Sequence, residues 1–187
     1  MNNILKSCIV LFIVSSVCVT ALAYVNEITK EPIKKQIEIA EIQAYNKIFP
    51  NADDFKKNEK TVSTEGAVQE ITSAYNSGAL IGYVVKLDQK GYGGSISLMV
   101  GIENNGSVSG IEVLSHSETP GLGASIKESW FQDRYAGKNK FPLHVTKSAS
   151  PAENEIDAIT SATISTRAVT DAVNAAYEWF ETEGGGR

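Results

Sequence analysis

One run of residues limits this chain more than any other. From Cys8 to Val25 it reads CIVLFIVSSVCVTALAYV, 18 residues without a charge. With Ile4 and Leu5 ahead of it, the apolar stretch reaches the ~20 residues that a helix needs to cross ~30 Å of hydrocarbon. Ser15, Ser16 and Thr20 lower its hydrophobicity but can bond back to the helix. The expected reading is an uncleaved anchor over residues 1–26. A cleaved signal peptide is the rival, because Ala21-Leu22-Ala23 has the small-x-small form of a cleavage site, and a buried core helix is the third reading. The run is long for a signal segment, which favours retention. A lipoprotein is disfavoured, since Ser15-Ser16-Val17 before Cys18 lacks the usual leucine at the third position back. Lys6 ahead of the run places the N-terminus in the cytoplasm, so the rest of the chain is expected on the extracytoplasmic, periplasmic side of the inner membrane.

Composition narrows what that outer part can do. Cys8 and Cys18 are the only cysteines, so nothing beyond residue 18 can form a disulfide, a cysteine-ligated zinc site or an iron–sulfur cluster. His116 and His144 are the only histidines, too few for a metal site without carboxylates, and His144, in an apolar run, reads as structural. Of 17 basic residues one, Lys6, lies in the first 26. The remainder therefore carries 16 basic against 22 acidic residues, a net charge of −6. That balance argues against binding duplex nucleic acid or an anionic membrane surface.

Periodicity then gives an α+β domain, one antiparallel sheet backed by helices. Ile33, Ile37, Ala40, Ala44 and Ile48 recur at spacings of three and four, predicting a helix over 28–49 with Glu31 and Pro32 in its first turn. Residues 51–66 read as loop, so 27–66 links the anchor to a domain over 67–187. Strands are predicted at 67–75, 79–87, 95–103 and 108–116, with turns at Asn76-Ser77-Gly78 and Asn104-Asn105-Gly106, hence a meander. A glycine-rich connection, Gln89 to Gly94, joins the middle strands. A short helix is expected over 124–136 with Ile126, Trp130 and Phe131 inward, a strand over 141–147, loop over most of 148–163, and a last helix over 165–182. Val169, Ala172, Val173, Ala176, Tyr177 and Phe180 form its apolar stripe, and Gly184 to Gly186 stop it.

Two loops could carry chemistry. In His116-Ser117-Glu118-Thr119-Pro120-Gly121-Leu122-Gly123, the proline and glycines alone make a turn into a helix. The same residues could form a ledge beside a planar ligand, with glycines admitting close backbone approach, Glu118 and Thr119 as polar groups and Leu122 as apolar contact. In Asp157-Ala158-Ile159-Thr160-Ser161-Ala162-Thr163-Ile164-Ser165-Thr166, Ser165 or Thr166 could cap the helix that follows. Five hydroxyls exceed what a cap needs, and a helix start favours an anion such as phosphate, which a hydroxyl there could bind or esterify. The chain has no GxxxxGK[ST] loop and no GxSxG, and Gly91-Tyr92-Gly93-Gly94 lies in a hairpin context rather than a βαβ unit.

Taken together, these loops resemble the FMN-binding domain family. Asp157-x-x-Thr160-Ser161-Ala162-Thr163-x-Ser165 is similar to that family's flavinylation motif, D-x-x-[ST]-[GS]-A-T-x-[ST], and Glu118-Thr119-Pro120-Gly121-Leu122-Gly123 is similar to its E-T-P-G-L-G segment. Ser161 stands where glycine is commoner. The resemblance, with the N-terminal apolar segment and the length, extends to the G subunits of Rnf-type ferredoxin:NAD oxidoreductases. The C subunits of sodium-pumping NADH:quinone oxidoreductases share both motifs but are usually longer. The resemblance implies FMN joined to Thr163 through a phosphoester, donated from FAD by a flavin transferase that reads Asp157. It implies a flavin lying among Glu118, Thr119, Gly121, Leu122 and Gly123, with Thr160, Ser161, Ala162 and Ser165 around the attachment point. It also implies a redox subunit that passes electrons to membrane partners in an ion-translocating complex and is not catalytic alone. An extracytoplasmic binding module without redox chemistry, or a flavin-bearing sensor, remain the competing readings.

Overall fold

The computed structural model describes residues 2–58, 68–148 and 150–184. By internal contacts the chain divides into two compact units, Met1–Ala40 and Glu41–Arg187. Helix α1 runs over Asn2–Ile48 with Pro32 inside it. The sequence predicts a separate helix starting near residue 28; instead one helix runs through Pro32, whose fixed φ is itself helical, although the ring forfeits one backbone hydrogen bond and crowds the preceding turn. From Leu5 onward it is long and apolar enough to cross a membrane by length and composition. Its apolar residues are exposed all round, from Leu5 and Phe12 to Tyr24 and Val25. Of the residues that set the predicted periodicity, Ile33 and Ile37 are exposed, whereas Ala44 and Ile48 are buried, with Tyr45 and Phe49 beside them.

The second unit is built on five antiparallel strands in sequence order. They are β1 (Asp54–Lys57), β2 (Val68–Asn76), β3 (Ala79–Lys90), β4 (Ser95–Glu103) and β5 (Val108–His116). The last two match their predicted bounds. The β2–β3 turn has positive φ at both Ser77 (50°) and Gly78 (79°), the geometry that suits a two-residue hairpin. β3 runs three residues beyond its prediction into Gln89 and Lys90, because the ladder to β4 continues to Lys90 opposite Ser95. β1 lies where loop was expected. Its short, lysine-bearing edge has no apolar alternation to read, and pairing with β2 alone makes it a strand. Residues 59–66 of that expected loop lie outside the described residues, as do residue 67, where the predicted second strand begins, and residues 185–187.

Alternation across β4 sorts its side chains to two covered faces. Leu98, Val100 and Ile102 join one core and Met99 the other. On the first face lies helix α3 (Thr163–Trp179), packing Ala168, Val169, Ala172, Val173 and Ala176 against Val85, Leu87, Ile96 and Val113. On the second lies the end of α1, where Ala44, Tyr45, Ile48 and Phe49 meet Ala74, Val84 and Met99.

The segment after β5 departs from a single helix. It forms a 3-10 turn (Gly123–Lys127) and then one helical turn, α2 (Ser129–Gln132), broken by Glu128 in extended conformation (ψ 138°). Ile126 and Phe131 are buried as expected, whereas Trp130 is half exposed. The predicted strand over 141–147 contracts to β6 (His144–Thr146), and β7 (Glu155–Asp157), expected as loop, pairs with it in parallel. His144 sits exposed on β6 rather than in the core. Asn174 of α3 anchors the approach to β6, accepting from Leu143 N–H (2.8 Å) and donating to its carbonyl (3.0 Å). α3 begins at Thr163, two residues earlier than predicted.

Candidate functional site

Glu118 lies in the wall of a cavity between the two motif loops. It follows the end of β5 and is 5% exposed. Its backbone N–H donates to His116 Nδ1 (3.2 Å), which ties the main chain there to the end of β5. Oε1 accepts from the Gly93 N–H (2.9 Å), and Oε2 accepts from the Ser165 hydroxyl in the first turn of α3. Among the described residues the carboxylate has no cationic partner. It is held by hydrogen bonds alone.

That arrangement explains three glycines. A Cβ on Gly123 would stand 2.4 Å from Glu118 Oε2 and 2.5 Å from Ser165 Oγ. On Gly91 it would stand 2.3 Å from Oε1, and on Gly93 2.2 Å from the Ser117 carbonyl. Each spacing is shorter than atoms tolerate, so Gly91 and Gly123 leave room for the carboxylate and Gly93 for the Ser117 carbonyl.

Beside Glu118 opens the cavity, of about 420 Å³, within the range of small-molecule sites. Its walls are Glu118, Thr119, Leu122 and Gly123 from one sequence loop, Ser161, Ala162, Thr163, Ile164 and Ser165 from the other, and Tyr92. Tyr92, Leu122 and Ile164 are large apolar residues left exposed here, 73%, 43% and 54% respectively. They give the cavity flat apolar surface beside its polar floor. Gly121 has positive φ (77°) and turns the loop without lining the cavity.

The second loop makes a tight turn into α3. Ala162 N–H closes it on the Ile159 carbonyl (2.9 Å), and Ser161 holds a left-handed φ of 66°. That conformation is why glycine suits the position and why serine there carries some strain. Neither Ser165 nor Thr166 caps α3, since Ser165 is committed to Glu118 and Thr166 bonds Ile159 and Ala162. The N-cap residue is Ala162, with no side-chain cap. The first-turn amides that a cap would satisfy thus remain for another acceptor at the cavity wall.

Thr160 and Asp157 fall on the other side of this turn. With Lys147, Ser161 and Thr163 they line a second, polar cavity of about 390 Å³. Ser161 and Thr163 border both cavities. Asp157 is oriented by Arg134, whose guanidinium lies 3.5 Å from its carboxylate, donates to its carbonyl and rests over the Trp130 ring (4.8 Å).

Family models match the chain in two stretches, the RnfG N-terminal region over residues 1–48 and the FMN-binding domain over 91–178. The G subunit of the sodium-translocating ferredoxin:NAD oxidoreductase complex of Acetobacterium woodii is 34% identical over 95% of this chain and 92% of its own. The chain belongs to the RnfG family. The G subunit of an ion-translocating oxidoreductase complex of Methanosarcina acetivorans is 32% identical over 98% of both chains. The G subunit of the proton-translocating ferredoxin:NAD oxidoreductase complex of Clostridium ljungdahlii is also 32% identical, over 98% of this chain and 94% of its own. Among solved structures, the C subunit of the sodium-translocating NADH-quinone reductase of Parabacteroides distasonis superposes with a TM-score of 0.60 over 81% of this chain and 96% of its own, at 19% identity. That likeness is one of fold.

The FMN-binding match begins at Gly91, the first of the glycines packed on Glu118. Tyr92, Ile164 and the Gly91–Gly93 contacts are the parts of the site that sequence reasoning missed. The available signal was an aromatic residue among glycines, Gly91-Tyr92-Gly93-Gly94, which reads as a plain connection until Glu118 is seen beneath it.

Proposed function

We propose that this chain is the flavin-bearing electron-transfer subunit of an Rnf-type ion-translocating oxidoreductase, with FMN joined to Thr163 through a phosphoester. The observation that carries the reading is the Ser165–Glu118 hydrogen bond, which joins two motifs 47 residues apart around a cavity with Thr163 in its wall. The residues fit the cofactor. Tyr92, Leu122 and Ile164 offer faces for a planar ring, and the uncapped start of α3 offers amides and dipole to a phosphate. When bound, FMN supplies the redox chemistry, accepting and releasing one or two electrons.

Attachment needs FAD and a flavin transferase. The Thr163 oxygen forms a bond to the phosphorus nearest riboflavin, that phosphorus loses its bond to the bridging oxygen, AMP leaves, and the hydroxyl proton is released. Asp157, fixed by Arg134, is the residue the transferase reads. α1 anchors the chain in the membrane as a single pass, with its N-terminus in the cytoplasm and the flavin domain outside, beside the other subunits of the complex.

Co-expression with a flavin transferase tests this. The peptide over 148–167 should gain the mass of FMN less one water, and the flavin should stay attached through denaturation. Thr163→Val should abolish the gain; a Thr163→Val protein that still carries flavin through denaturation would overturn the attachment site.

A further inference from the structure

The hydroxyl of Thr166 lies outside the residues assigned to the cofactor, yet it holds the loop that presents Thr163. Thr166 is wholly buried. Its hydroxyl donates to the Ala162 carbonyl (3.1 Å) and accepts from the Ile159 N–H (3.1 Å). Those two groups belong to the first and last residues of the Ile159–Ala162 turn, which the Ala162 N–H closes on the Ile159 carbonyl. One hydroxyl therefore grips both ends of the turn that contains Thr160 and the left-handed Ser161, and Thr163 follows directly.

Back-bonding to the carbonyl four residues earlier is ordinary for helical threonines, and Thr170 and Thr182 do it as well. Thr166 differs in also accepting a backbone amide from outside the helix. Its own carbonyl is in turn bonded by Thr170, to which the Tyr135 hydroxyl donates (2.9 Å). The clamp is thus tied into the core rather than to solvent.

We propose that Thr166 is a positioning residue for modification of Thr163, acting by holding the 159–162 turn in the shape that a transferase must engage. This rests on the reading that Thr163 is the flavin attachment point. Thr166→Val keeps the shape and removes both hydrogen bonds, leaving a buried amide unpaired. Thr166→Ser keeps the hydroxyl and loses a methyl.

The experiment measures the rate of FMN attachment to purified, folded full-length protein by transferase and FAD, and amide exchange over 157–162 in the unmodified protein. Thr72→Val, which removes an equally buried hydroxyl in the other core, controls for stability. Attachment in Thr166→Val should be at least about tenfold slower and exchange at Ile159 about tenfold faster, the factor that one lost buried hydrogen bond carries. Thr166→Ser and Thr72→Val should stay near wild type in both. Unchanged exchange in Thr166→Val, or attachment slowed no more than in Thr72→Val, overturns the inference. A wild-type protein that takes up no flavin overturns the attachment reading instead, and the exchange measurement still decides the clamp. Should Thr166→Val not fold, Thr166→Cys, a weak donor and acceptor, replaces it with the same expected order.

Discussion

The same device, a glycine giving up its side chain, serves two regions of this protein to different ends. Where the end of α1 meets the sheet, a Cβ on Gly101 would stand 2.1 Å from Ile48 Cγ2, and one on Gly82 would stand 2.4 Å from the Ile102 carbonyl and 2.7 Å from Phe49. Those glycines admit apolar side chains and complete a core. Beside the cavity, Gly91 and Gly123 admit a carboxylate, whose two oxygens then bind Gly93 and Ser165. Packing at the first region contributes stability. Packing at the second contributes geometry, because Glu118 ties the β3–β4 connection, the loop after β5 and the start of α3 to one point.

Substitutions can break this contrast. The largest effect is expected from Gly101→Val, which drives a branched side chain into Ile48 and Phe49 and should cost about 3 kcal/mol. Thermal melting reads it, and flavin attachment per folded molecule should not change. Gly123→Ala should cost less, about 2 kcal/mol, because Glu118 and Ser165 can part. It should nevertheless reduce FMN attachment and weaken flavin contact, read by absorbance per folded molecule. Equal attachment in both variants would erase the distinction.

Each region also buries a tyrosine hydroxyl against a threonine. Tyr135 meets Thr170 below α3, and Tyr45 meets Thr72 (3.1 Å) near α1. Burial pushes the Tyr135 phenol well above its ordinary value of 10.0, against the opposing effect of the Thr170 bond. Burial also raises Tyr45, which the Thr72 bond partly opposes and the nearby Glu70 carboxylate reinforces. A raised phenol holds its proton in the fold and releases it when unfolded. Its contribution is therefore complete below about pH 10 and falls as pH rises beyond that. Tyr135→Phe should lose about 1 kcal/mol at neutral pH and flatten the alkaline decline in stability, as followed by denaturant titration from about pH 8 upward. Tyr45→Phe should flatten it less, since Tyr45 keeps some exposure.

The smallest effect is expected from Ser161→Gly. Relief of the left-handed backbone is offset by a more flexible unfolded chain, leaving a gain of about 0.5 kcal/mol in the melting equilibrium. Attachment at Thr163 should persist, since the turn is already gripped by Thr166.

Much of this architecture was legible in residue order. Alternation and the Asn-Asn-Gly turn set β4 and β5 to the residue, and the three- and four-residue spacing of Val169, Ala172, Val173 and Ala176 set the buried stripe of α3. The two motifs named Glu118, Leu122, Gly123, Thr163 and Ser165, all now found around one cavity. These signals are local, and local backbone preference acts over a few residues. Tertiary contact decided the rest. β7 is a strand because β6 lies alongside, and Trp130 turns outward because Glu128 breaks the helix and Arg134 stacks on its ring. Tyr92 enters the cavity wall because Glu118, 26 residues later, draws in the Gly93 amide. Residue types could announce a carboxylate, a hydroxyl and a row of glycines. Only the folded chain could put them within hydrogen-bond reach, because the closing contacts span 25 and 47 residues and no local preference extends that far.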